Sequence, residues 1–427
     1  MKKSYLPSTK AVLLSACCLA SGLITSSCQD DTVKSEQSVL TTEESKAIKG
    51  QYIVIFNDEA IPSGRVGEPQ FTSRTAKAAY SRTNRNIVSK RIRSFLSRTK
   101  ITTNKPDRIF TSAVSGFSAQ LTEDEAQRMA QDPSVALVEP DRMIDLDYEV
   151  EAVYSREELE NAPSINGRQT TTCATANAGG AGDGSGSEAF IWIVDTGIDL
   201  DHPDLNVVTN PDYAKAFAAG DSSPDDAIGH GTHVAGIAGA IANDAGILGI
   251  SAGAPVVPVD VFGSTGSTPT SVIIEGMDHI AENDIVGDVV NMSLGPSQRT
   301  GCDENSAYRF ALNRLSAQSR IALAAGNASD DAAFYDPGCQ NLPNVYTVAS
   351  MTCDGSFSSF SNFGSPIDWI ATGSSVLSTY PGGGYATLSG TSMASPVVAG
   401  ILHDRNGPPL SCGTVDFQGV SYQIACR

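Results

Sequence analysis

Basic residues are scarce in the C-terminal part of this 427-residue chain. Residues 169–427 contain 7 Lys and Arg against 26 Asp and Glu, whereas residues 1–168 contain 22 of each kind. Such an acidic body repels phosphate backbones, which argues against nucleic acid as a partner. The step in charge also indicates that the two parts of the chain are separate domains.

No pair of cysteines has the CxxC spacing, which argues against a zinc site. Three of the nine cysteines fall within the first 28 residues, and the other six form up to three disulfides in an exported chain. Two alternating runs flank Gln418-Gly419 near the C-terminus and predict a hairpin closed by a cross-strand bridge. We expect the pair Cys412–Cys426 and, as a second bridge, Cys302–Cys339.

Long apolar runs that could cross a bilayer as a mature helix are missing. The run "AVLLSACCLASGLI" is too short for that and follows Lys2, Lys3 and Lys10, a pattern typical of an export leader over residues 1–28. The next letters, "TSSCQDD", resemble the lipobox and surface-export signal of bacterial lipoproteins, with Cys28 as the acylated residue. We expect an exported protein, secreted or anchored as a bacterial outer-membrane or cell-surface lipoprotein; an ordinary secretory signal is the alternative.

The rest of the first part divides into three segments. Residues 29–49 are polar and predict a flexible tether. Residues 50–147 alternate strand-like and helix-like runs in the order β-α-β-α-β, which predicts a small α+β domain, and Thr122 and Glu125 have the spacing of a capping box. Residues 148–168 are acidic, lack clear periodicity and predict a linker.

Residues 169–427 carry a different pattern. Continuous apolar strands such as "AFIWIVDT" and "DVVNMSL" alternate with helical runs such as "HGTHVAGIAGAIAN". This order predicts an α/β fold with a parallel sheet that helices cover on both faces. Ligands of such sheets bind beyond the carboxyl ends of the strands, where Asp195 and Asn327 stand.

Three residues in this region have the chemistry of a nucleophilic site. Serine needs a base to become nucleophilic, and the base needs a third group that holds its tautomer. Ser392, His230 and Asp195 can fill these roles, although each alone is more often a cap, a core histidine or a turn acid. Their combination in one α/β domain favours a catalytic triad.

The segments around these residues, "IVDTGID", "HGTHVAG" and "SGTSMASP", resemble the signature motifs of the subtilase family, in wording closest to its proteinase K branch. The resemblance implies a subtilisin-like three-layer sandwich and a serine endopeptidase that works through an acyl-enzyme. It also implies that Asp195 orients the base, that His230 moves the proton and that Ser392 attacks. Asn327 in "AAGN" would donate to the oxyanion, and His233 would be structural.

The same resemblance implies a cleft for an extended peptide. Its two edges would be formed by Gly266, Ser267, Ser293, Leu294 and Gly295. The primary specificity pocket would be lined by Ala324, Ala325 and Gly326. Because this set holds no acidic residue, we expect an apolar preference rather than one for Lys or Arg.

A metal is not needed for this chemistry, but a structural calcium is implied. Pro343, Val345 and Asp368 match positions that resemble a calcium site built from two backbone carbonyls and a carboxylate, and oxygen ligands suit calcium. No other cofactor is expected.

Residues 50–147 resemble the inhibitory prodomain of subtilases, so we expect a zymogen that cuts itself within residues 148–168. The stretch 82–108 carries nine Lys or Arg against Asp107, and we hypothesise that it docks on the acidic catalytic domain, a solvated basic helix being the alternative. The expected partners are peptide or protein substrates and the chain's own prodomain. We expect contact with a membrane only through a lipid anchor, and we expect a monomer.

The catalytic domain, residues 169–427, departs from the family near its end. After "VVAGIL", where a long helix normally continues, "HDRNGPP" stops it and a short Cys-closed hairpin follows. The trimmed scaffold behind Ser392 implies lower stability or an altered substrate side. Two alternatives stay open: a catalytically impaired binding module that uses the cleft without turnover, and a hydrolase of esters, which an acyl-enzyme mechanism also permits.

Overall fold

The computed structural model describes residues 46–61, 69–99, 101, 105–160 and 169–427. The predicted leader, most of the tether and the lipidation site Cys28 lie outside these ranges. Among the described residues, no helix has the length and apolar character that a bilayer span requires.

The N-terminal domain is an antiparallel sheet with two helices. Its elements are β1 (Ala47–Phe56), α1 (Arg74–Thr99), β2 (Arg108–Phe110), β3 (Gly116–Gln120), α2 (Glu123–Ala130) and β4 (Val135–Asp145). The strand order is β4-β1-β3-β2. The α+β prediction therefore matches, and β1 begins at Ala47, three residues before the predicted domain start at 50.

Local chemistry explains both helices. Thr122 Oγ1 accepts from the N–H of Glu125 at 3.2 Å and Glu125 Oε2 accepts from the N–H of Thr122 at 2.8 Å, which is the predicted capping box. Helix α1 buries Val88, Ile92 and other apolar side chains at helical spacing against the sheet.

Part of the predicted linker over 148–168 has regular structure. Residues Glu149–Tyr154 form β5 and Arg156–Glu160 form α3. The side chains of β5 are mostly exposed, so apolar alternation could not reveal it. The strand forms because the edge of a strand in the C-terminal domain, Gly384–Ser389, supplies backbone partners.

The C-terminal domain contains the remaining elements. They are α4 (Cys173–Asn177), β6 (Gly182–Asp183), β7 (Ile191–Asp195), β8 (Lys215–Ala216), α5 (His230–Gly239), β9 (Ser251–Ala252), β10 (Val256–Asp260), β11 (Ser267–Pro269), α6 (Thr270–Asn283), β12 (Val289–Met292), α7 (Ala307–Leu315), β13 (Arg320–Ala324), β14 (Val345–Met351), β15 (Trp369–Thr372), β16 (Val376–Tyr380), β17 (Gly384–Ser389), α8 (Thr391–Arg405), β18 (Leu410–Phe417) and β19 (Val420–Cys426).

The main sheet has nine strands in the order β18-β19-β15-β14-β13-β12-β7-β10-β8. The pairs from β8 to β19 are parallel, and only the terminal hairpin β18–β19 is antiparallel. Ile191 and Ile193 of β7 pack with α5 and α8, whereas Trp192 and Val194 pack with α6 and α7. Side chains alternate across a strand, so both faces of this sheet are buried and the predicted three-layer sandwich is confirmed.

The six cysteines outside the leader form three disulfides. Both expected pairs, Cys412–Cys426 and Cys302–Cys339, are present, and the third links Cys173 to Cys353. The hairpin β18–β19 joins the sheet at β15, where Phe357 stacks on Phe417 with ring centroids 4.1 Å apart. The short C-terminal segment thus extends the sheet.

The basic helix α1 of the N-terminal domain packs against α6. Among the described residues four ion pairs join the two domains: Arg74–Asp288, Lys77–Asp284, Arg85–Glu282 and Arg108–Glu275. Only Arg85 and Arg108 belong to the stretch 82–108 of the docking hypothesis, which stays a prediction. In addition, Asp278 accepts hydrogen bonds from three successive backbone N–H groups of residues 111–113. Opposite charges and hydrogen-bonding groups therefore meet across the contact between the two domains, beside a shared apolar cluster.

Candidate active site

Asp195 ends β7 and His230 begins α5, and both side chains are fully buried. Asp195 Oδ1 lies 2.7 Å from His230 Nδ1 and also accepts from the N–H of Thr196 at 2.8 Å. A carboxylate has no proton to donate, so Nδ1 carries the hydrogen and Nε2 keeps a free lone pair. Within the described part of the chain no group hydrogen-bonds Nε2, which leaves it able to take a proton.

The turn before α5 is held by Asp226, a residue that sequence reasoning missed. Its carboxylate accepts from the N–H groups of Gly229 at 2.8 Å and Thr232 at 2.9 Å. Gly229 has a φ of 109°, and a Cβ there would lie 2.3 Å from the ring of Tyr380. An acid just before a helix, where N–H groups lack partners, was the signal that could have identified Asp226.

His233 lies one turn after His230 on α5. Its Nε2 is 3.0 Å from the carbonyl oxygens of both Val376 and Ala386. Burial, reinforced by the neighbouring His230, lowers the pKa of His233 to about 3, so this imidazole stays neutral. These contacts agree with the structural role expected for it.

Ser392 is the second residue of α8. Pro396 has no N–H, so the carbonyl of Ser392 lacks its usual helical partner and accepts instead from Ser293 Oγ at 2.8 Å. The hydroxyl of Ser392 donates to the carbonyl of Ser293 at 3.2 Å. The proline therefore explains why a serine stands at position 293, a link that the sequence did not reveal.

Asn327 follows β13, and its side-chain amide has a defined orientation. Its Oδ1 accepts from the backbone N–H of Thr391 at 2.8 Å and from Thr391 Oγ1 at 2.9 Å. The Nδ2 group is consequently turned the other way and donates to the carbonyl oxygen of Asp147 at 2.7 Å. An amide that is fixed in this way is a ready donor for negative charge on a carbonyl oxygen.

The N-terminal domain lies in the expected cleft. Strand β4 pairs antiparallel with β11, with Asp145 opposite Ser267, and the N–H of Leu146 donates to the carbonyl of Gly266 at 3.0 Å. Beyond it, the ring of Tyr148 lies 4.6 Å from the imidazole of His230, centroid to centroid. An extended segment of the chain itself thus crosses the predicted site.

The other predicted binding residues surround a cavity beside this segment. Its lining from the C-terminal domain is Ser293, Leu294, Gly295, Pro296, Ala324, Gly326, Asn327, Thr391 and Ser392. Ala325 stands next to this lining, and its carbonyl accepts from Asn362 Nδ2 at 2.9 Å. The only acids among the described lining residues, Asp145 and Asp147, come from the N-terminal domain.

The predicted calcium ligands lie around the starts of β14 and β15. Asp368 Oδ2 accepts from the N–H of Thr347 at 2.8 Å, and burial raises the pKa of this carboxyl. Calcium takes six to eight oxygen ligands. Within the described ranges no group of three or more His, Cys, Asp and Glu could hold a metal, so a cation here would depend on Asp368 and on backbone carbonyls such as those of Pro343 and Val345. Calcium stays a prediction.

Two protein families match this chain. The model of the subtilase family matches residues 186–403, and that of the peptidase inhibitor I9 family matches residues 51–147. Alkaline serine exoprotease A of Vibrio alginolyticus is 34% identical over 304 residues, which cover 69% of this chain and 52% of that protein. Subtilisin E of Bacillus subtilis is 34% identical over 290 residues, which cover 67% of this chain and 69% of that protein.

A solved structure is also similar. It is described as a cold adapted subtilisin-like serine proteinase, with 35% sequence identity and a TM-score of 0.43. The match covers 53% of this chain and 78% of that one.

Proposed function

Because the chain belongs to the subtilase family of serine endopeptidases and carries an inhibitor I9 prodomain, we propose that it is an exported zymogen that hydrolyses peptide bonds through Asp195, His230 and Ser392. The single observation that carries the proposal is the buried Asp195–His230 hydrogen bond of 2.7 Å, which leaves Nε2 without a partner among the described residues. A base in that tautomer is what a serine nucleophile requires.

The proposed mechanism begins with a rotation of the Ser392 side chain. The hydroxyl of Ser392 leaves the carbonyl of Ser293 and donates to His230 Nε2, and Oγ attacks the carbonyl carbon of the bound peptide. His230 takes the proton while Asp195 stabilises the imidazolium. The proton then passes to the leaving amine, and water resolves the acyl-enzyme by the same route.

Charge on the tetrahedral intermediate needs fixed donors. Asn327 Nδ2 is oriented by Thr391, and the backbone N–H of Ser392 belongs to the free donors at the N-terminus of α8. Both are in place before the reaction, so little reorganisation is needed when the oxyanion forms.

The proposed substrate is an extended peptide. Gly266 and Ser267 already pair with a strand of the N-terminal domain, and Ser293–Gly295 line the facing side of the cavity. A strand added between two edges gains backbone hydrogen bonds on both sides, which favours polypeptides over simple esters. We keep the predictions of an apolar primary pocket, an exported monomer and a structural calcium as parts of this proposal.

The test compares hydrolysis of a chromogenic peptide by the processed wild type and by variants. We expect Asp195→Asn to lower kcat about 10⁴-fold and Asn327→Ala to lower it about 10²–10³-fold. Asn305→Ala is the control, since Asn305 is exposed and lies outside the cleft lining. A folded wild type without any hydrolysis would overturn the proposal in favour of a binding module.

A further inference from the structure

We propose that this chain cuts itself at the peptide bond between Asp147 and Tyr148. The inference rests on the proposed function and adds the bond itself, which joins Tyr148, the first residue of the range 148–168 predicted for the cut, to the residue just before that range. Four features of the described residues carry it: the approach of β4, the contact of Asn327, the position of Tyr148 and the pairing of β5.

The first feature is the register before the bond. Met143, Ile144 and Asp145 stand opposite Pro269, Thr268 and Ser267 in an antiparallel ladder. The ladder continues with the hydrogen bond from Leu146 N–H to Gly266 O. Ile144 is 3% exposed, so its side chain anchors the segment in the interface core. The chain therefore enters the cleft in one defined register.

The second feature is the oxygen that meets the oxyanion donor. Asn327 Nδ2 lies 2.7 Å from the carbonyl oxygen of Asp147, within the 2.7–3.1 Å that such donors show. Residues 146–148 lie between β4 and β5, and within the described part of the chain the carbonyl that accepts from Asn327 Nδ2 is that of Asp147. A shift of the cut by one residue would require a new register.

The third and fourth features lie after the bond. Tyr148 supplies the leaving amine, and its ring rests 4.6 Å from the imidazole of His230, the group that must protonate that amine. The next residue, Glu149, pairs with Ser389, and the ladder of β5 on β17 continues to Tyr154 opposite Tyr385. The bond is thus held between two ladders, one on each side of the nucleophile.

The reaction balances with water as its only co-reactant. Ser392 Oγ forms a bond to the carbonyl carbon of Asp147, and its proton moves to His230 Nε2. The bond to the nitrogen of Tyr148 breaks as His230 returns that proton, which leaves a free amino terminus. Water then hydrolyses the ester to a carboxylate at Asp147 and restores the hydroxyl of Ser392.

The side chain of Asp147 is exposed although its carbonyl is held. Docking of the prodomain, rather than recognition of this side chain by the apolar pocket, therefore selects the bond. Replacement of Asp147 by asparagine should leave the position of the cut unchanged.

The experiment expresses residues 29–427 and measures the masses of all fragments at early times, when later trimming has not begun. Wild type should yield a prodomain fragment that ends at Asp147 and a mature fragment that begins at Tyr148. Asn327→Ala should yield the same two ends about 10²–10³-fold more slowly, and Ser392→Ala should stay intact.

Other outcomes separate the two claims. Paired ends at a different bond, or an uncut chain that hydrolyses an added peptide, would overturn the Asp147–Tyr148 assignment and leave the proposed function standing. A folded chain that stays uncut, and that still fails on the added peptide after a second protease has removed its prodomain, would overturn the proposed function itself.

Discussion

Replacement of Lys77 by methionine should destabilise the uncut precursor by about 3–5 kcal/mol, the cost of removing one partner from a buried ion pair. Lys77 Nζ lies 3.0 Å from Asp284 Oδ1, and the two side chains are 1% and 2% exposed. Burial raises the pKa of Asp284 and the ammonium of Lys77 opposes that shift. Without the ammonium, this carboxylate keeps a hydrogen bond of 3.0 Å from the hydroxyl of Ser319.

Burial decides the size of the effect. Arg85 pairs with Glu282 across the same interface, but the Arg85 side chain is 54% exposed. Pairs in which both charges are exposed contribute about 0.2–1 kcal/mol, and this pair is half-exposed, since the Glu282 side chain is 8% exposed. Arg85→Met should therefore cost less than Lys77→Met, because water solvates the Arg85 charge before and after docking. Lys90→Met, an exposed position on the same helix, is the control and should change stability by less than about 0.5 kcal/mol.

The assay is urea unfolding of the Ser392→Ala precursor, which keeps the two domains in one chain. Trp192 reports on the interface, because its indole donates to Asp288 at 2.9 Å and Arg74 of the prodomain binds the same carboxylate. The domains can separate before they unfold, so the first transition in tryptophan fluorescence is the one to compare.

A second substitution separates loss of charge pairing from loss of packing. In Lys77→Met/Asp284→Asn the buried group is neutral, so most of the lost stability should return. The reasoning is refuted if Lys77→Met costs no more than Lys90→Met, or if the added Asp284→Asn substitution restores nothing.

Three further predictions concern other parts of the molecule. Burial, together with the charge of a neighbouring carboxylate, raises the pKa of Glu139 from its ordinary value of 4.5 to about 8 in the docked precursor. Glu139 holds a proton in the docked state that it releases in the undocked state, so the precursor should lose stability as pH rises from about 4.5 to about 8, and the stability should then level off. In urea titrations at several pH values, Glu139→Gln should make this profile flatter. An unchanged slope would contradict the assignment to Glu139. Loss of the Cys412–Cys426 bridge, which closes a 14-residue separation, should cost about 3 kcal/mol, and a double alanine variant that unfolds at the wild-type urea concentration would contradict it. A Cβ at Gly400 would lie 2.5 Å from a neighbouring side chain, so Gly400→Ala should lower the melting temperature, even though alanine gains about 1 kcal/mol in helix propensity. Gly295→Ala is the control and should not lower the melting temperature, because a Cβ there would meet open space.

Much of the fold could be predicted from local patterns. The apolar runs that became β7, β12 and their neighbours are buried on both faces, and such runs read as parallel strands without any tertiary information. The capping box at Thr122 and the Cys412–Cys426 hairpin are short-range features, which is why both were predictable.

For the candidate active site, the sequence predicted the central residues but not the residues that support them. The residue types of Asp195, His230 and Ser392 were recognisable because their motifs are contiguous in sequence. The support behind them was not, since Asp226 and Ser293 matter only through backbone groups that the fold brings to them. No local sequence pattern predicts that Pro396 leaves the carbonyl of Ser392 without a helical partner and that Ser293 donates to this carbonyl.

The sequence by itself determined which side chains are the candidates for the chemistry, where the apolar faces lie and that a stretch rich in basic residues precedes an acidic domain. Only the tertiary structure decided that Cys173 bonds to Cys353, that β5 adds to β17 and that the carbonyl of Asp147 meets Asn327. The reason is physical: periodicity and motif chemistry act over a few residues, whereas these contacts join segments that are far apart in the chain. A strand edge or an oriented amide can hydrogen-bond to any backbone segment of suitable geometry. Which segment pairs with it is therefore decided by the fold and not by the local sequence.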